Sequence, residues 1–182
     1  VLPFRFRAGY FAALQGASFG VMPSLYEPFG MANEFYLNGT IGIGRATGGI
    51  VEQVVPWRAA SSFSRAVEVR SERYHNLGSF PTGILYRERD NLASAQHDWR
   101  ALNAARYDTT GEGYPDRVAE RCEYPMYYSM VEELGLALAD GVRLVTEQPE
   151  LYHRMLVEGV GYIERTFSWE RAAADYVRNM EG

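Results

Sequence analysis

Apolar residues fall in short, punctuated groups through the first half of the chain and in long stripes through the last third. Residues 8–16 (AGYFAALQG) read as a short helix that Gly16 ends, and SFGVMPS after it as a buried strand closed by Pro23 and Ser24. MANEFYLN predicts a two-turn helix starting near Gly30 and terminated by Gly39. TIGIGRA reads as a second strand, weakened by its two glycines, and GGIVEQV as the opening of another helix. Strand, loop, helix, strand, loop, helix within about forty residues is the alternation of parallel α/β structure, whose ligands sit at the carboxyl ends of the strands. PTGILYRE, residues 81–88, supplies a third strand.

The blocks 56–80 and 89–125 break this rhythm and read as insertions, the second with a helix around DWRALNAARY and a loop at TTGEGYPD. The C-terminal third is helical. Met130, Leu134, Ala137, Leu138, Gly141, Val142 and Val145 recur at three-and-four spacing, and after QPE a second helix carries Leu151, Met155, Leu156, Val160 and Ile163. Ser168 is placed to cap a third helix. Its stripe of Trp169, Ala172, Ala173, Tyr176, Val177 and Met180 is expected to pack on a core, each large member contributing roughly 1.5–3 kcal/mol.

The 182 residues suffice for one domain. No apolar run is long enough to span a bilayer, and Arg5 and Arg7 interrupt the first apolar stretch, which is not a signal-peptide pattern. The opening on Val1 is read as the start of a piece of a longer polypeptide. The single cysteine, Cys122, has no partner for a disulfide, so a reducing, cytoplasmic setting is expected. A net charge of −5 with scattered basic residues argues against a nucleic-acid partner. All eighteen basic side chains are arginine. Without lysine the chain has no amine nucleophile, and an anion clamp must be guanidinium or backbone N–H. His75, His97 and His153 are far apart in sequence and read as core or surface residues, and no metal site is expected.

The chemistry concentrates in MPSLYEPFGMANEFYLNGTIGIGRATGGIVEQV, residues 22–54. Two loops follow two adjacent strands, and each hands over to a helix. Phe29, Gly30 and Met31 would offer backbone amides from the first loop, and Thr47, Gly48 and Gly49 from the second. Such a crevice suits phosphate or a phosphorylated sugar. Glu27, held extended by Pro28, could accept hydrogen bonds from sugar hydroxyls, and Arg45 lies between the loops. Tight turns and a loop edge would account for the same residues.

The stretch resembles the nucleotide-sugar domain of glycogen and starch synthases, retaining glucosyltransferases of GT-B architecture. PSLYEPFGM and NGTIGIGRATGGI follow the family pattern, with GAS at 16–18, TGILYRE, and FSWERAAADY near the end in the right order. The resemblance implies a Rossmann-like parallel sheet with flanking helices, the C-terminal half of a GT-B fold, with the acceptor-binding half absent. It implies transfer of glucose, with retention, from ADP-glucose or UDP-glucose to an α-1,4-glucan, with no metal and no further cofactor. Glu27 would hold sugar or ribose hydroxyls and act in catalysis, and Phe29, Gly30, Met31, Arg45, Thr47, Gly48 and Gly49 would line the donor pocket. Glu34 would be the second carboxylate of that pocket, although it follows Glu27 at seven residues where the family has eight, and one residue turns a helix by about 100°. The base-stacking aromatic would fall near Phe4, Arg5 and Phe6. Gly42 and Gly44 replace the family's proline and valine, which is expected to loosen the strand. The family's Arg–Lys diphosphate grip has no counterpart in these residues, so the chain alone is expected not to catalyse transfer. A non-catalytic nucleotide-sugar-binding or scaffold domain, or a relative with a sucrose- or trehalose-type acceptor, stays open. In the family the last helix crosses onto the missing half, so the Trp169–Tyr176 stripe is expected to be partly exposed without it.

Overall fold

The computed structural model describes residues 9–27, 29–76, 78–89, 96–98, 100 and 122–181. Helix α1 (Phe11–Gly16) leads into β1 (Phe19–Met22), α2 (Met31–Leu37), β2 (Ile41–Arg45), α3 (Gly48–Gln53), α4 (Arg65–Ser71) and β3 (Ile84–Tyr86). Three longer helices follow: α5 (Pro125–Glu147), α6 (Pro149–Thr166) and α7 (Trp169–Glu181). The loop expected at TTGEGYPD, most of the helix expected at DWRALNAARY, the Phe4–Phe6 segment and Pro28 lie outside the described residues.

Among the described residues the sheet has the order β1-β2-β3, all parallel. Phe19 stands beside Ile41, and Ile43 beside Ile84. Every residue of β2 is buried, as a central parallel strand with both faces covered requires. Ile41 and Ile43 face a cluster with Trp57, Ile84, Ala137, Leu144 and Met155. The opposite face belongs to Met22, Ile50, Val54 and Leu85, backed by Phe35 and Tyr36.

The glycines of β2 do not loosen the strand as expected. A Cβ on Gly44 would stand 2.5 Å from Ile50 Cγ2, and one on Gly42 2.9 Å from Met22 Cε. They are the places where α3 and the Met22 side chain press directly onto the strand. Tyr36 is fully buried beside them and donates its hydroxyl to the Thr82 carbonyl at 2.9 Å. Burial raises its pKa strongly, so the phenol stays a neutral donor.

The block 56–80, expected to be irregular, contains α4. Ser64 caps it, its Oγ accepting the Val67 N–H at 3.4 Å. Only Ala66, Val67 and Ser71 of α4 are buried, too few for a visible apolar stripe. In α5 the buried face is Met126, Ser129, Glu133, Ala137, Asp140, Gly141 and Leu144, while Leu138 and Val142 of the expected stripe face outward. The helix is turned so that Asp140 Oδ2 accepts the Ser62 N–H at 3.0 Å, and Arg143 also contacts that carboxylate. Those bonds hold the Asp140 carboxyl below its ordinary pKa although burial opposes its ionisation.

Ser168 caps α7 as expected, accepting the Arg171 N–H at 3.2 Å. The α7 stripe is exposed, contrary to the simpler expectation, and no described residue buries it. Trp169 is 88% exposed, and Tyr176, Val177 and Met180 are exposed with it.

Candidate functional site

The three parallel strands present their carboxyl ends together, and the loops after β1 and β2 meet there. Glu27, Phe29, Gly30, Met31 and Glu34 of the expected site line one open cavity of about 670 Å³, with Phe11 and Asn33. Gly30 sits at the N-cap of α2 with φ 117°, a conformation glycine tolerates, and turns the chain from the Glu27 loop into the helix. A neighbouring cavity of about 500 Å³ shares Phe29, Gly30 and Asn33 and continues to Phe167, Trp169 and Arg171. Phe29 meets the Phe167 ring edge-on at 5.2 Å, which joins the loop to the end of α6.

Glu34 does reach this cavity, but its Oε2 accepts the Tyr10 hydroxyl at 2.8 Å. That bond, with burial and the negative charge, pushes the Tyr10 pKa above its ordinary value. Asn33 is one of the site residues that sequence reading missed. Its Oδ1 is buried and meets no hydrogen-bond donor among the described residues, which costs about 1–3 kcal/mol unless a ligand or water supplies one. The available signal was its place one turn beyond Gly30.

The second loop touches the first but faces another cavity. Thr47 and Gly48 line a different cavity, which shares no lining residue with the Glu27 cavity. The Gly49 N–H, expected to face a ligand, donates to the Glu27 carbonyl at 2.8 Å. Gly48 has φ 46°, and a Cβ there would lie 2.0 Å from the same carbonyl oxygen. The Thr-Gly-Gly turn therefore holds the Glu27 loop by direct backbone contact. Only a glycine lets the two backbones approach this closely.

Arg45, expected among the ligand-binding residues, is completely buried. Its Nε and Nη2 donate to Glu88 Oε2 and Oε1 at 2.8 and 2.5 Å, and Nη1 donates to the Leu25 carbonyl at 2.5 Å. It is a strut tying the loop after β1 to the end of β3. Burial disfavours the Glu88 carboxylate, but the Arg45 hydrogen bonds and charge, with Arg87, hold its pKa below the ordinary range. Glu88 was also missed, because its partner is 43 residues away in sequence.

Among the described residues no group of three His, Cys, Asp or Glu side chains could hold a metal ion. His75 is buried with Nε2 2.7 Å from the Val51 carbonyl, and desolvation lowers its pKa. No described helix is long and apolar enough to cross a membrane. Compared with protein-family models, curated proteins and solved structures, the chain matches none.

Proposed function

We propose that this chain is the donor-binding part of a retaining glucosyltransferase of GT-B architecture, similar to glycogen and starch synthases. In this reading it holds ADP-glucose or UDP-glucose, whose glucose passes to an α-1,4-glucan. The observation that carries the reading is that Glu27, Glu34 and Asn33 line one open cavity at the strand ends. Glu27, and Glu34 through the oxygen that Tyr10 does not engage, are carboxylates able to accept hydrogen bonds from sugar or ribose hydroxyls. Catalysis in this reading is electrostatic, through stabilisation of the leaving diphosphate and of an oxocarbenium-like sugar.

A second reading is favoured by the positions of Arg45 and Gly49. Both groups are engaged inside the protein rather than turned to a diphosphate. A domain that binds a sugar nucleotide without transferring glucose fits that arrangement.

The test has two parts. Calorimetric titration with ADP-glucose and UDP-glucose is expected to show saturable binding that Glu27→Ala weakens by at least about tenfold, the loss of one charge-assisted hydrogen bond. No binding of either donor sinks both readings. Incorporation of labelled glucose into glycogen by a polypeptide carrying this domain and an acceptor half then separates enzyme from non-catalytic binder.

A further inference from the structure

The cavity beyond the Thr-Gly-Gly turn has a chemistry of its own. Its volume is about 200 Å³, and Thr47 and Gly48 share its walls with Arg70, Arg73 and Tyr74 from α4 and the turn after it, and with Arg87 beyond β3. Three guanidinium groups border this one space, and among the described residues no carboxylate lines it. Each guanidinium carries five N–H donors, so one already bonded within the protein can still offer a charge-assisted hydrogen bond to an anion between them.

Two of the three arms are aimed by backbone. Arg70 Nη1 donates to the Ala66 carbonyl at 2.8 Å, and Arg87 Nη1 to the Ala46 carbonyl at 2.9 Å. Arg87 Nε also lies 3.0 Å from Glu88 Oε1, the carboxylate that Arg45 grips. Arg73 is exposed at the mouth, and the half-exposed Tyr74 stands beside it. Planar guanidinium forks match the oxygen geometry of a phosphoryl group better than a flexible ammonium does. In a chain with no lysine, guanidinium is the side chain left to carry a permanent positive charge to such a clamp.

We propose that the cavity between α3, α4 and the end of β3 binds a phosphoryl dianion, carried by a small phosphorylated metabolite or by the diphosphate of a nucleotide. The site is independent of the Glu27 cavity and does not rest on the donor reading.

The test is an NMR titration of the full chain with inorganic pyrophosphate at constant ionic strength. Saturable shifts are expected at the Gly48 and Tyr74 amides and at the Arg73 Nε–H. Arg73→Gln, at an exposed position that leaves the fold intact, is expected to weaken binding about tenfold. Glu27→Gln should leave pyrophosphate affinity unchanged, so failure here and failure of the donor reading are distinguishable. Glycerol phosphate saturating the same resonances identifies a free phosphomonoester as the ligand. ADP moving them together with Phe29 and Asn33 identifies a nucleotide diphosphate. Shifts that never saturate, or wild-type affinity in both Arg73→Gln and Arg70→Gln, overturn the proposal.

Discussion

Replacing Arg45 with methionine is expected to destabilise the protein by about 3–5 kcal/mol, the effect of removing one partner from a buried ion pair. Arg45 is fully buried, and the Glu88 side chain is only 5% exposed. The variant leaves Glu88 with the Arg87 contact at 3.0 Å and the Leu25 carbonyl with only the longer bond from the Thr47 hydroxyl, at 3.3 Å, among the described residues. Removing both charges with Arg45→Met/Glu88→Leu should recover most of the loss, because an apolar pair of similar volume carries no desolvation cost. Urea unfolding followed by circular dichroism measures all three variants. The pH dependence has a fixed sign. The Glu88 pKa is lowered on folding, so its contribution is complete above the ordinary value of 4.5 and is lost as pH falls through the lower folded value. Wild type should therefore lose stability on that acid limb through Glu88, and the double variant should lack this component. A cost for Arg45→Met below about 1 kcal/mol, or a double variant as unstable as the sum of the singles, would refute the strut.

Two further outcomes follow from single contacts. Gly48→Ala places a side chain at φ 46° and a Cβ 2.0 Å from the Glu27 carbonyl oxygen. It should cost more than the roughly 1–2 kcal/mol of the left-handed conformation alone and weaken ligand binding at Glu27, readable from thermal unfolding and donor titration on the same sample; a neutral melt would show that the loops do not touch. Tyr10, whose pKa is raised above 10.0 chiefly by its hydrogen bond to Glu34, should titrate at lower pH in Glu34→Gln, seen as tyrosinate absorbance. Because the folded pKa is the higher one, the associated stability is lost as pH rises from 10.0 through the folded value. An unchanged Tyr10 titration would refute the Tyr10–Glu34 hydrogen bond.

The local signals in the sequence carried the strands and most helices. Glycine stops at Gly16 and Gly39 and the cap at Ser168 act within a few residues, so their effect is visible in the text of the chain. What the text does not carry is rotation about an axis. The stripe read in α5 is displaced because Asp140 turns inward to meet the backbone at Ser62, 78 residues away. The stripe in α7 is regular yet exposed, since a period of 3.6 states which residues share a face and not whether anything covers it. The site divides the same way. Glu27, Phe29, Gly30, Met31 and Glu34 lie within eight residues and share a cavity. Arg45, Thr47, Gly48 and Gly49 belong to the next strand end, and their partners are set by tertiary contact.

Charge beside glycine at a strand end is ambiguous in principle, because a ligand clamp and a buried strut use the same residue types. Burial separates them. A guanidinium that must meet a ligand keeps a path to solvent, whereas Arg45 has none and has both carboxylate oxygens of Glu88 in its fork. Glycine separates likewise: Gly30 has nothing within 4 Å of a built Cβ and opens toward a cavity, while Gly48 has a carbonyl at 2.0 Å and closes a seam. The strand end at β2 therefore works as scaffolding for two cavities, one bounded by carboxylates and one by guanidiniums. Helices supply much of each cavity's lining, and Arg45 with the Gly48–Gly49 turn ties the loop after β1 to the strand ends beside them.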